Sequence, residues 1–356
     1  MTTVPVSQLK VGEKLSENVL TKYSNVLFSK GKLVMERDIE ILKAFLIPSV
    51  QIETKSGEAD TSVEEVQIEE SNRSVLPFYE NYSKLLQLLR KVFTATSSGG
   101  QNLPILEIRT TLADLIQHIS HYNVLTFSPK NFQLSEFLYH NSIMVSLTSY
   151  NLARWHGYPT KDLMPIALGG LLHDIGNAKV DSSILFKPSR LSPVEVEDMK
   201  RHTIIGYNLL KSVPAINEGV KFCALQHHER EDGSGYPLGV GGDKVHPYSK
   251  IVAIADMFHA MTTDRFHKKG SSPYLVLEQL LNDSFGKMEP ALVQTFIHKV
   301  TAFHNGTLVK LSDSRIGEIV FSDRSNPTRP WVNVNGKIVN LTLERSLYIQ
   351  ELIHKL

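Results

Sequence analysis

The sequence predicts a mainly α-helical protein, with a small α+β module before the helices and a small β-barrel-like module after them. Three observations predict it. From about residue 74 to residue 304, apolar residues recur at helical spacing in segment after segment. Residues 1–55 and 305–356 instead alternate short apolar runs with Gly, Pro and Asn turns. Between the first module and the helices, residues 56–73 carry Glu58, Asp60, Glu64, Glu65, Glu69 and Glu70 and no aromatic residue, the composition of a solvated acidic linker.

Length and composition bound the function. The 356 residues suit two or three domains, and 42% apolar content can fill real cores. Lys plus Arg is 38 against 37 for Asp plus Glu, a formal charge of +1, which excludes a nucleic-acid-coating protein but leaves room for a local phosphate pocket. The single cysteine, Cys223, permits no intramolecular disulfide and reads as a buried thiol in a reducing compartment. No apolar run reaches transmembrane length, and the first residues lack the pattern of a signal peptide. The expectation is a soluble cytoplasmic protein without a transmembrane segment.

In chain order, Val4–Val6, Val19-Leu20 and Val26–Phe28 read as strands, Glu36–Leu46 as a helix and Val50–Ile52 as a closing strand. Leu85–Phe93 lies in an amphipathic helix ended by Gly99-Gly100, and a second helix is expected from roughly Leu106 to Leu125. The third places Glu136 and His140 four residues apart on one face. Alone, that pair is an ordinary surface contact; in a buried helix it needs a partner charge or a metal.

Met164–Gly176 follows, with Gly169 and Gly170 permitting close helix packing, His173-Asp174 at the end of the apolar run and Gly176 as an expected helix terminus. Successive helical residues point about 100° apart, so both side chains meet one ligand only if it lies between them. Ser192-Pro193 opens a further helix with a capping serine, leading to His202. A helix from Gly219 to Gln226 delivers His227-His228, a pair rarely needed for packing. Asp232–Pro237 dictates a tight loop, in which Tyr236 suits either a packed turn or contact with a base or phosphate. Asp256 interrupts a buried helix and calls for a metal or an arginine. Arg265, Lys268 and Lys269 form a basic turn that could clamp phosphate. The tail reads as strands at Val309–Leu311, Gly317–Phe321 and Trp331–Val339, with Asn335-Gly336 as a hairpin turn and a short closing helix at Leu347–His354.

These motifs in this order resemble the HD-GYP family, a bacterial branch of the HD phosphohydrolases that hydrolyses cyclic di-GMP. The resemblance covers about residues 130–300: Glu136 with His140, His173-Asp174-Ile175-Gly176, Met199–His202, His227–Pro237 and Ile254–Asp256. It implies an all-helical HD-type catalytic domain over residues 74–304. It further implies two or three divalent metal ions, iron with manganese as the alternative, held by Glu136, His140, His173, Asp174, His202, His227, His228 and Asp256. His173, Asp174 and position 177 would serve catalysis, and Arg265, Lys268, Tyr236, Gly235 and Pro237 would bind the substrate. The reaction implied is metal-assisted hydrolysis of cyclic di-GMP to pGpG, and on to GMP. Two positions depart from the family: Asn177 stands where a lysine is usual, and His259 where an aspartate is usual. Two other readings stay open, a cyclic di-GMP- or metal-binding signalling protein of weak or no activity and a hydrolase of another cyclic dinucleotide or nucleotide. A homodimer or a signalling partner protein is compatible with each.

Overall fold

The computed structural model describes residues 2–21, 26–53, 64–100, 103–214, 216–265, 269–302 and 306–353, with the backbone alone for Arg37 and residues 64–74. The chain divides into two compact units, Ser74–Val300, and Met1–Arg73 together with Thr301–Leu356.

The helical unit contains most of α2 (Glu64–Ser97), then α3 (Ile105–Ile116), α4 (Phe137–His156), α5 (Thr160–Leu172), α6 (Ser182–Leu185), α7 (Pro193–Lys200), α8 (His202–Lys211), α9 (Glu218–Gln226), α10 (Pro247–Thr262), α11 (Pro273–Asp283) and α12 (Pro290–Val300). Helix α2 begins inside the acidic stretch read as linker. Helix α3 stops well short of Leu125. The chain passes through a short 3-10 turn at Ile119–His121, and extended Tyr122 turns its side chain into the core.

Helix α4 packs on α5, α10 and α12, and α5 on α9 and α10. Ile143, Leu147, Ile166, Leu171, Val220, Ile254 and Phe296 are among the core residues. Each such side chain contributes roughly 1.5–3 kcal/mol on burial. The paired glycines of α5 do what their position suggests: a Cβ on Gly169 would press on Cys223 Sγ, and one on Gly170 would come 3.0 Å from Ser146 Cα. Cys223 is buried between these helices with its thiol pKa pushed up by burial. Among the described residues, no helix is long and apolar enough to cross a membrane.

In the other unit, β1 (Thr2–Pro5) pairs antiparallel with β4 (Ser49–Ile52), and β2 (Val19–Leu20) with β3 (Val26–Phe28). Helix α1 (Glu36–Ala44) buries Ile41 and Leu42 beneath them. Five strands follow: β5 (Leu308–Leu311), β6 (Ile316–Phe321), β7 (Trp331–Val334), β8 (Lys337–Asn340) and β9 (Ile349–Ile353). Their order, β8-β7-β6-β5-β9, is antiparallel and open, so the barrel-like closure expected from the sequence is not formed by these pairings. Asn335 and Gly336, with φ of 53° and 84°, make the β7–β8 hairpin. The closing helix expected at Leu347–His354 is a strand: β9 pairs with β5, and buried Ile349 and Ile353 share one face of it. A spacing of four residues suits a helix and a strand equally, and the open edge of β5 decides between them. Leu308 and Ile353 enter the same core as Val6, Leu27 and Leu42, so both ends of the chain build one unit.

Candidate metal centre

The centre forms where four helices of the larger unit deliver their ends or a buried face. Helix α5 stops at Leu172, and Asp174 leaves the helical conformation with φ −101° and ψ 12°. That break resolves the 100° problem. His173 Nε2 lies 3.4 Å from Asp174 Oδ2 and 3.4 Å from Asp256 Oδ1, the latter delivered by α10. His202, at the start of α8, places Nε2 3.3 Å from Asp174 Oδ1, and His227, at the end of α9, places its own 3.7 Å away. His228 packs its ring on those of His227 and His202, at centroid distances of 4.1 and 5.2 Å.

Gly176 sets this geometry, and its role differs from the helix terminus expected. It lies within a 3-10 turn, Ile175–Lys179, pressed on α8, where a Cβ would overlap His202 O. Only glycine lets the Asp174 segment and His202 approach so closely.

Hydrogen bonds orient three of the imidazoles. Nδ1 of His173 meets Gly170 O at 2.7 Å, Nδ1 of His202 meets Met199 O at 2.7 Å, and Nδ1 of His227 meets Cys223 O at 2.8 Å. A backbone carbonyl only accepts, so each Nδ1 donates and each Nε2 can present a lone pair to the centre. Nε2 of His202 and Nε2 of His227 then face each other at 3.3 Å, with Asp174 Oδ1 beside them. Two imidazole nitrogens each about 2.0–2.1 Å from one ion would be separated by about that much. His173 Nε2 is buried and makes no hydrogen bond. An orphaned buried nitrogen, facing lone pairs and two converging carboxylates fit a site for divalent cations. His202, His227 and His228 form one candidate ligand group, and His173, His227 and Asp256 a second that shares His227.

The electrostatics agree. Burial would raise the Asp174 pKa, but the surrounding histidines, His173 foremost, hold it below the usual carboxylate range; Asp256 is depressed for the same reason. Burial lowers His227 to about 3 and pushes His228 well down, so both rings are neutral and able to ligate. His173 is the exception: burial opposes its charge, yet Asp174 and Asp256 outweigh burial and raise its pKa.

Glu136 and His140 stand somewhat apart. Glu136 ends a 3-10 turn just before α4, with Oε2 3.8 Å from His140 Nε2. It pairs with Arg90 of α2, and neither residue forms an ion pair with Asp174 or Asp256 among the described residues. Burial, then the charge of Arg90, lowers His140 to about 4.

A cleft of about 280 Å³ opens on the centre. Asp174, His202, His228 and Asp256 line it, together with Asn177, Tyr236 and Arg265. Tyr236 stacks on His228 at 4.6 Å. Its loop is tightly specified. Glu229 is buried and accepts from Leu238 N at 2.7 Å and Val240 N at 3.2 Å, a Cβ on Gly235 would overlap Glu229, and the Tyr236-Pro237 bond is cis. The Arg265 guanidinium lies 4.5 Å from the Phe137 ring centroid, and its buried Nε is unpartnered. Lys268, expected beside Arg265, lies outside the described residues. Asn177 is buried with Oδ1 unpartnered, whereas Lys179 reaches away to Ser97 O at 3.4 Å and cannot replace the missing charge.

Four contributors were not evident from the sequence. Asn141 donates to Asp256 Oδ1 at 3.1 Å, and its only signal was a polar residue inside a buried helix. Glu229 looked like one more charge beside the histidines. Arg90 and Tyr82 come from α2, far away in the chain.

His259 does not line the cleft over the metal centre. Its Nε2 lies 2.7 Å from Thr148 Oγ1 and 3.2 Å from the Tyr122 hydroxyl, a buried network. Burial lowers its pKa to about 3, so it is neutral in the fold and protonates near 6.5 in the unfolded chain. Stability present above pH 6.5 is therefore lost as pH falls from there towards 3, at up to about 1.4 kcal/mol per pH unit for this one group. Urea unfolding at pH 7 and pH 5 should show a smaller loss in His259→Gln than in the wild type; equal losses would contradict this role.

Comparison with known proteins places the molecule. Residues 115–283 match the HD domain family. Most of the helical unit thus corresponds to an HD domain. It is similar to a cyclic di-GMP phosphodiesterase of Pseudomonas aeruginosa, 30% identical over 227 residues that cover 62% of this chain and 55% of that protein. The cyclic di-GMP phosphodiesterase response regulator RpfG of Xanthomonas campestris is 38% identical over 136 residues, 38% of this chain and 35% of its own length. A 3′3′-cGAMP-specific phosphodiesterase of Vibrio cholerae is 32% identical over 154 residues, 43% of this chain and 30% of its own. The chain therefore spans about half the length, or less, of these curated relatives.

Proposed function

We propose that this chain is a metal-dependent phosphodiesterase that hydrolyses cyclic di-GMP to pGpG. The observation that carries the reading is the set of Nε2 atoms turned, by their Nδ1 hydrogen bonds, onto the Asp174 and Asp256 carboxylates beneath an open cleft. His173, Asp174, His202, His227, His228 and Asp256 would hold iron, with manganese the alternative, since imidazole and carboxylate suit both. Such ions supply hydroxide at neutral pH and stabilise charge on phosphoryl oxygens.

The chain's own residues do the rest. Arg265 lines the cleft and offers its guanidinium to a non-bridging phosphate oxygen. Asn177 offers an amide donor at the cleft wall but no charge. Tyr236, fixed on His228, closes one side of the site and limits water. Lys268 would add a second phosphate contact, and Gly235 and Pro237 shape the loop that presents Tyr236.

Protein loaded anaerobically with iron or manganese and mixed with cyclic di-GMP should yield pGpG on product chromatography. Binding without turnover under both metals would leave a signalling receptor instead. The relative that acts on 3′3′-cGAMP favours testing that dinucleotide in parallel, and faster turnover of it would reassign the substrate.

Asn177→Lys should raise turnover about tenfold if one missing charge limits the rate, since tenfold needs only about 1.4 kcal/mol at the transition state. An unchanged or lower kcat would exclude that explanation.

A further inference from the structure

Helix α2 brings a cation to a carboxylate that the HD-GYP resemblance assigns to metal. Arg90 Nη2 pairs with Glu136 Oε1, while Glu136 Oε2 lies 3.8 Å from His140 Nε2. The same helix supplies Tyr82, whose hydroxyl lies 2.9 Å from His140 Nδ1 and whose ring stacks on the imidazole. His140 is 1% exposed, and its Nε2 has no hydrogen-bond partner. One residue further on, Asn141 donates to Asp256. The pair therefore has a metal ligand's features: a fixed imidazole, an orphaned nitrogen and an adjacent carboxylate.

What it also has is a guanidinium already on that carboxylate. A guanidinium on one oxygen of a carboxylate repels a divalent ion on the other and draws charge from it, so in a partly buried site each weakens the hold of the other. The two cations must compete for Glu136.

We propose that Arg90 is the resident cation of the Glu136–His140 pair, and that it restricts the centre to the ions held by His173, Asp174, His202, His227, His228 and Asp256. This rests on the metal-centre reading above. Arg90 is then a positioning residue that sets the number of metals without touching the reacting atoms. Because α2 carries both Arg90 and Tyr82, a shift of this helix would alter both contacts to the pair at once.

The test is metal content, by plasma mass spectrometry after equilibration at fixed free iron or manganese, for wild type, Arg90→Gln, Arg90→Lys, Glu136→Gln and the double variant Arg90→Gln/Glu136→Gln. Wild type and Arg90→Lys should hold the same number of ions. Arg90→Gln should hold one more, and the double variant should lose it again. Thermal melts confirm folding, which substitution of the half-exposed Arg90 should leave intact. The inference is overturned if Arg90→Gln binds the wild-type number, or if wild type already holds an ion that Glu136→Gln removes. If wild type binds no metal at all, the metal-centre reading fails and this inference with it, a result distinct from the first two.

Discussion

Asp174→Asn should strip metal from the protein and lower turnover of cyclic di-GMP by roughly 10³-fold or more. Asp174 Oδ1 is within 3.7 Å of both His202 and His227, and Oδ2 is 3.4 Å from His173, so this one carboxylate touches three of the candidate imidazoles. Asparagine keeps the shape and removes the charge. Loss of the several kcal/mol that a bound ion gives a transition state corresponds to about 10³-fold at 1.36 kcal/mol per decade. The same change spares the apolar core, so the melting temperature of the metal-free protein should move little. Full metal content in the variant would show that Asp174 is not at the centre of the site.

Gly176→Ala should be nearly as damaging, by a different route. The new Cβ would overlap the carbonyl of His202, a backbone atom that cannot swing aside. Overpacking of this kind costs about 1–3 kcal/mol, sometimes more. For a unit of this size that is a fall of roughly 2–12 °C in melting temperature. The segment that yields carries either Asp174 or His202, so metal affinity should fall with it. Gly206→Ala is the control: its Cβ would meet Gly176 N at 3.3 Å and Ala224 Cβ at 3.4 Å, contacts that small shifts relieve. Equal melting temperatures for Gly176→Ala and wild type would contradict the close approach described here.

The candidate centre was legible largely because its chemistry is local. His173-Asp174 and His227-His228 are adjacent pairs at the ends of apolar helices, and Asp256 is a carboxylate inside one; each is costly unless something binds it. What brings them together was harder to read. Gly176 looked like a helix terminus because glycine ends helices, whereas its use is contact with a helix that starts at His202. Arg90 was invisible because no local pattern links α2 to Glu136. In the other unit the strands β5–β8 follow from alternation and the Asn335-Gly336 turn. Strand β9 does not, because Ile349 and Ile353 satisfy both periods and only the partner β5 distinguishes them. Nor does the sequence reveal that Leu308 and Ile353 share a core with Val6 and Leu42, a contact spanning nearly the whole chain.

The proposed activity is hydrolysis of cyclic di-GMP in this cleft, through divalent ions that its histidines and carboxylates would hold. The most direct measurement is the initial rate of pGpG formation as iron(II) or manganese(II) is added anaerobically to metal-free protein. The rate should start at zero, rise with added metal and saturate at a whole number of ions per chain. A rate that is independent of added metal, or no pGpG at saturation with either ion, would contradict it.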